Sequence, residues 1–334
     1  GGGGGEKLER FIFVEPSTAE GLLPWVTFMQ AVIRRRPFLV QALEGVMETL
    51  VKQLNFYTEA EQQNLAIAIA LVYGHNLGPL PLPLFRALQD DAKVESGDSL
   101  NFLTKFMKAF LPAAPAGIDD LVTLLRRGKV EDALLNFFPH LRRTEDHFAR
   151  HFEEAGLEPL VAHSRKKFAD ARLRTIRKQV KEAIAEGQGN QAIVDIVLQH
   201  TSEVEVAETQ LVGVLWEGIM EGGDWATKNQ QQAMLNALKH IKGWMKLLER
   251  FASSAKTELA LMNAIQEYCY ADARLLKLFP QIVKQLYDGD VLDEDTILFW
   301  QKKGASPKGR QIFQKDMEPL VKWLLEAEED EDED

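Results

Sequence analysis

The apolar positions of this chain recur with the period of an α-helix. Ala207, Leu211, Val214, Leu215, Gly218 and Ile219 stand at i, i+4, i+7, i+8, i+11 and i+12, which places them on one helical face. Met317, Leu320, Val321 and Leu324 form a second such stripe near the end. Thr58 and Glu61 have the spacing of a capping box, in which hydroxyl and carboxylate each take a free backbone amide, so a helix is expected to begin near residue 59. From Leu65 to Tyr73 that helix is apolar almost all round, as a helix buried on most sides must be. Breakers separate these stretches: the glycine and alternating prolines of 78–83, Pro112 to Pro115, Gly187-Gln188-Gly189, Gly222-Gly223 and Gly304 to Pro307. No run alternates with the period of a strand, and no βαβ rhythm is present.

Helices of roughly 10–20 residues joined by short breaks predict an all-α fold, an α-solenoid of stacked HEAT/armadillo-type helical pairs. At ~40–47 residues per pair, the chain would hold about seven or eight of them. Three segments are expected: a flexible or divergent lead-in over 1–16, an N-terminal helical (HEAT/ARM-like) domain over 17–160, and a C-terminal domain over 161–334 that ends in an acidic tail. The boundary is expected around 156–190, where a long basic helix precedes a glycine break.

Composition narrows the class. With 334 residues, 46% hydrophobic and 27% charged, the chain has the make-up of a soluble globular protein with ample core. No apolar run reaches the ~18–20 residues that span a bilayer, and the opening Gly1 to Gly5 followed by Glu6-Lys7-Leu8 lacks the layout of a signal peptide. Cys269 stands alone, which excludes an internal disulfide framework and a multi-cysteine zinc site. A reducing, cytoplasmic setting is expected.

Charge is distributed unevenly. The formal net charge is −11, yet eight of the last nine residues are acidic, from Glu326 through Glu328, Glu329, Asp330, Glu331, Asp332 and Glu333 to Asp334. Without those eight, 42 acids face 39 bases, so the body is nearly balanced and the acidity is a local interaction tail. The opposite sign gathers in Arg165, Lys166, Lys167, Arg172, Arg174, Arg177, Lys178 and Lys181. A solvated, salt-bridged helix face explains these bases, and RNA binding is the alternative.

Three resemblances to catalytic or metal motifs fail on chemistry. The run from Gly304 to Gln311 echoes a phosphate-binding loop, but Arg310 and Gln311 occupy the positions of the required Lys and Ser/Thr. His147 and His151 have the spacing of a zinc pair, but Phe148 replaces the catalytic glutamate, so two surface histidines are expected. Asp288 to Asp295 begins like a calcium loop, but Leu292, Asp293 and Phe299 stand where an oxygen ligand, glycine and glutamate belong. Asp293, Glu294 and Asp295 are better explained as acids at a helix N-terminus, capping amides and opposing the positive end of the dipole. No nucleophile elbow or dinucleotide fingerprint is present. No catalytic residue, cofactor or metal is expected, and an enzyme is not.

What remains is a pair of tryptophans among acids. Trp300 closes a segment that carries Asp290, Asp293, Glu294 and Asp295, and Trp323 opens one that carries Glu326, Glu328, Glu329, Asp330, Glu331 and Asp332. Aromatic anchors beside carboxylates grip lysine-rich segments, since the acids pair with ammonium groups while the rings cover the methylene stems. The same rings serve equally well as core residues of terminal helices.

Here the chain resembles a known family. Gln266-Glu267-Tyr268-Cys269-Tyr270, Asp290 through Trp300, and Pro319-Leu320-Val321-Lys322-Trp323-Leu324 with its acidic end are similar to the eukaryotic translation initiation factor five mimic proteins, also called basic leucine zipper and W-two domain proteins. Leu211 to Trp216 and Asp146-His147-Phe148 share the resemblance. It implies that the C-terminal domain is a HEAT-type W-two domain, similar to the ends of initiation factor five and of the epsilon subunit of the factor two exchange factor. It further implies two aromatic and acidic boxes, matched by 290–300 and 319–330, that bind the lysine-rich beta subunit of factor two, with factor three and the preinitiation complex as further partners. Lacking factor five's GTPase-activating domain, such a protein competes with factor five and lowers initiation. The zipper in the family name is not sustained, because Leu173 and Val180 are followed at heptad spacing by Gly187. Two other functions remain open at this point: RNA binding by the basic 165–181 helix, and nucleotide-exchange catalysis by analogy with the epsilon subunit.

Overall fold

A computed structural model describes residues 18–331 of the chain, with side chains through residue 326. The lead-in over 1–16 therefore lies outside the described residues, as do the side chains of Glu328, Glu329, Asp330 and Glu331 and all of Asp332. Every regular element among the described residues is helical, and none of these helices is long and apolar enough to cross a membrane. They separate into two compact units, one through residue 165 and one from 166 on.

The first unit contains α1 (Ala19–Arg35), α2 (Leu39–Lys52), α3 (Glu59–Gly74), α4 (Leu82–Leu88), α5 (Asp91–Ser96), α6 (Asp98–Ala113), α7 (Ile118–Arg127) and α8 (Glu145–Glu154). α3 begins where its capping box predicts. The Thr58 backbone amide donates to Glu61 Oε2 at 2.8 Å, and the Glu61 amide donates to Thr58 Oγ1 at 3.3 Å. All residues from Leu65 to Tyr73 are buried, because α3 is covered by α1 on one side and α6 on another. α1 stacks on α3 and α2 on α4, each meeting the second helix after it, which is the layering of a helical-pair solenoid. An aromatic seam of Phe85, Phe106 and Phe137, with centroids 6.3 and 6.5 Å apart, fills the centre.

α8 corrects one expectation. His151 is half-buried and not a surface group, whereas His147 keeps part of its ring in solvent. His151 Nε2 sits 2.8 Å from Thr104 Oγ1, and its ring packs on Phe138 and Phe152. Burial holds its basicity below the ordinary histidine value. His147 reaches back to Thr144 at the start of its own helix. The i, i+4 spacing serves packing and capping.

The division between units falls inside α9 (Glu158–Ala185). The second unit continues with α10 (Asn190–Glu203), α11 (Glu208–Gly222), α12 (Gln230–Gly243), α13 (Met245–Phe251), α14 (Ala255–Ala271), α15 (Phe279–Asp288), α16 (Glu294–Phe299), a π turn (Trp300–Gly304) and α17 (Arg310–Glu331). α11 is central and packs on α14. Leu211, Leu215, Gly218 and Ile219 of the predicted stripe are buried and Val214 partly so, while Ala207 is the exposed N-cap residue one step before the helix. Gly218 and Gly222 let α11 approach α9 closely. A Cβ on Gly218 would lie 2.9 Å from Val180 Cγ1, and one on Gly222 would lie 2.7 Å from the Lys181 carbonyl oxygen. Met317 and Leu324 are buried on α17 as the second stripe predicts, with Leu320 and Val321 at the edge of the core.

Candidate protein-binding site of the second unit

The site is built on α14. Gln266 is fully buried there, and it joins three parts of the chain. Its Oε1 accepts from the Trp300 ring nitrogen at 3.1 Å and from the Ser306 amide at 3.2 Å, and its Nε2 donates to the Ser306 carbonyl at 2.9 Å. Next to it, Glu267 takes the Ser306 hydroxyl at 2.7 Å and Lys308 Nζ at 2.8 Å. Those two partners hold the Glu267 carboxyl below the usual carboxylate range. Arg310 donates to the Ala305 carbonyl at 3.0 Å through Nε. The loop that echoes a phosphate-binding motif is therefore a tied connection between the π turn and α17, with Ser306 buried at its centre.

Trp300 does not take the role assigned to it from the sequence. It is completely buried, packs on Phe279 at 5.2 Å and has its one donor satisfied by Gln266. A ring with no exposed face cannot cover an incoming lysine stem, so its part is to anchor α16 to the core. The exposed ring of this segment is Phe299, at 42%. Lys303 Nζ already stands 5.1 Å from its centroid. Thr296, Ile297 and Trp300 share the buried face of the turn, while Phe299 points away from it. That phase is legible in the sequence, since Thr296, Ile297 and Trp300 stand at i, i+1 and i+4.

Around Phe299 lies a hollow of about 340 Å³ lined by Ala255, Lys256, Leu259, Asp295, Thr296 and Phe299. Asp290, Asp293 and Asp295 are exposed and Glu294 is partly so, and Asp295 shares the hollow with the ring. Asp290 occupies the left-handed region at φ 58°, which turns the chain sharply between α15 and α16. Asp293 is the N-cap residue of α16, yet its carboxylate takes no amide of that helix. Its own amide donates instead to Glu258 Oε2 at 2.8 Å. The expected capping by that side chain is therefore corrected, and the carboxylate faces solvent.

Of the two readings open for Trp323, exposed anchor or core residue, the structure shows an exposed ring, at 45%. Tyr287 meets it edge-on at 6.1 Å, and Lys284 Nζ lies 4.5 Å from the ring centroid while pairing with Asp288 Oδ1 at 2.6 Å. The protein thus seats one of its own lysines on this tryptophan beside a carboxylate. Glu326 is exposed and pairs with Lys322 at 3.5 Å.

Four of the eight bases singled out in α9 sit in the following ion pairs. Arg165 pairs with Glu153 at 2.8 Å, Arg172 with Glu203 at 2.7 Å, Arg177 with Glu217 at 2.6 Å and with Glu221, and Lys178 with Glu182 at 3.9 Å. The Glu221 carboxylate and its neighbour hold the Arg177 guanidinium even more firmly protonated than usual. Lys166, Arg174 and Lys181 are exposed, and Lys167 is partly buried.

An all-helical stack of pairs, closed by a segment that joins an exposed ring to solvated acids, defines a HEAT-type protein with a W2 end. Two family models match it: the 5MP1/2 HEAT domain over residues 3–174 and W2, described as eIF4-gamma/eIF5/eIF2-epsilon, over 257–334. The eIF5-mimic protein 1 sequences of Mus musculus and Homo sapiens are 31% identical over 319 residues, covering 96% of this chain and 75% of each relative. eIF5-mimic protein 2-A of Danio rerio is 27% identical over 324 residues, covering 97% of the chain and 76% of that protein. The chain belongs to the eIF5-mimic family, whose members are regulators of translation initiation.

Proposed function

We propose that this chain acts as a non-catalytic, cytoplasmic adaptor, binding the lysine-rich beta subunit of initiation factor two, together with factor three, in competition with factor five. A HEAT-like domain over 17–160 and a W-two domain over 161–334 are its working parts. The observation that carries the reading is that lysines already occupy two exposed aromatic rings, Lys303 on Phe299 and Lys284 on Trp323, each on the acid-rich end of the chain. Groups that hold the protein's own ammoniums in this way suit those of a lysine-rich partner.

The test is fluorescence anisotropy of a lysine-rich factor two beta peptide against the full chain and a form ending at Leu325. Truncation is expected to weaken binding at least tenfold at low salt, and the intact complex is expected to weaken as salt rises, because exposed charges are screened over ~8 Å at physiological ionic strength. Added factor five is expected to displace the peptide. Equal affinity with and without the tail, or no displacement, overturns the proposal. The alternative of RNA binding by α9 is less well supported, since Arg165, Arg172, Arg177 and Lys178 already have carboxylate partners.

A further inference from the structure

A second recognition surface lies in the same unit, beside the Trp323 part of the lysine grip and sharing Lys284 and Asp288 with it. Between α12, α13, α15 and α17 the chain opens a cleft of about 1110 Å³. That exceeds the ~300–1,000 Å³ of ordinary small-molecule pockets and suits one face of a peptide. Its floor is apolar, made by Leu238, Met245, Pro280, Pro319 and Leu320. Leu235, 62% exposed, extends the apolar strip one turn back along α12.

The polar groups at the rim are of both signs but are not equally available. Asp288 is paired with Lys284 at 2.6 Å, and Asp316 with Lys277 at 3.2 Å. Lys242 and Lys246, one turn apart on α12 and α13, are exposed, and no carboxylate pairs with either among the described residues. The charge left over at the mouth is positive, although the chain as a whole carries −11. An unpaired basic rim around an apolar floor is complementary to a segment that presents apolar side chains on one face and carboxylates beside them.

We propose that this cleft docks an acidic amphipathic helix of a partner protein, with leucine- or phenylalanine-type side chains on Leu238, Met245 and Leu320 and carboxylates on Lys242 and Lys246. Nucleic acid fits the cleft poorly, because a phosphate chain has nothing to bury on that floor and would meet Asp288 and Asp316. The unit would then hold a basic partner at Phe299 and Trp323 and an acidic one at the cleft, with Lys284 bordering both.

The test uses the full chain and a fluorescein-labelled 18-residue peptide with leucines at i, i+3, i+4 and i+7 and glutamates elsewhere. Controls are the same peptide with lysine for glutamate, one with serine for leucine, and a single-stranded RNA. The acidic leucine peptide is expected to bind, shifting the NMR signals of Leu238, Met245 and Leu320, and the serine version is expected not to. Lys242→Glu with Lys246→Glu, both at exposed positions, is expected to weaken binding about tenfold while leaving the circular dichroism and the affinity for the lysine-rich factor two beta peptide unchanged. Equal binding of the leucine and serine peptides overturns the proposal, as do displacement by RNA and signal shifts that fall outside the cleft. A chain that self-associates until it is cut after Leu325 also overturns it, since the occupant would then be the acidic tail of a second copy.

Discussion

Phe299 and Trp300 are neighbours in sequence and opposite in duty. Trp300→Ala removes a fully buried ring and leaves Gln266 Oε1 without one of its donors, so it is expected to cost about 3–5 kcal/mol of stability, read as a lowered urea midpoint. Phe299→Ala is expected to change stability by less than ~1 kcal/mol, but to weaken binding of the lysine-rich peptide at least fivefold. If the two variants behave alike in both assays, the division of labour is wrong. Glu267 offers a pH readout at the same scale. Its carboxyl is held below the usual range by Lys308 and the Ser306 hydroxyl, so its contribution is complete above the unfolded-chain value of ~4.3 and is lost as pH falls through the lower folded value. The stability difference between the native chain and Glu267→Gln is therefore expected to be largest near neutrality and to shrink below about pH 4 in urea titrations.

Helix α11 shows how one element can carry opposite requirements along its length. A Cβ on Gly222 would meet the Lys181 carbonyl oxygen at 2.7 Å, whereas one on Gly213 would find Ala264 Cβ at an ordinary 3.7 Å. Gly222→Ala is expected to destabilise by about 1–3 kcal/mol, as α11 is pushed from α9. Gly213→Ala is expected to stabilise by up to ~1 kcal/mol, as alanine is the better helix former. Thermal unfolding of the two variants checks the sign as well as the size. At the other unit, Thr58→Ala removes the hydroxyl half of the α3 capping box and is expected to cost about 1 kcal/mol.

For the whole molecule, acidity is regional and so is its effect. The body is nearly neutral while the tail and the Asp290 to Asp295 segment carry the excess. Salt is therefore expected to weaken association with basic partners far more than it alters folding. A scan from 0.05 to about 0.5 M salt that moved the unfolding midpoint as strongly as the affinity would contradict this.

What the sequence determined by itself are features that depend on near neighbours: the helical class, the Thr58 capping box, the buried run of α3 and the stripe of α11. These follow from spacing along one helix, where i+3 and i+4 are always adjacent. The resemblance that identified the family also rests on local runs, and the comparisons confirm it. Which members of each acidic box face solvent was decided only in three dimensions. Gln266 lies 34 residues before Trp300, and it is their hydrogen bond and the Phe279 contact that turn Trp300 inward and Phe299 outward. His151 likewise became a packing residue through Thr104, 47 positions away. The pairing of Arg172 with α10 and of Arg177 with α11, and the cleft bounded by α12, α13, α15 and α17, arise from contacts between separate helices. No spacing within a single helix encodes them, because each depends on where a distant element comes to rest.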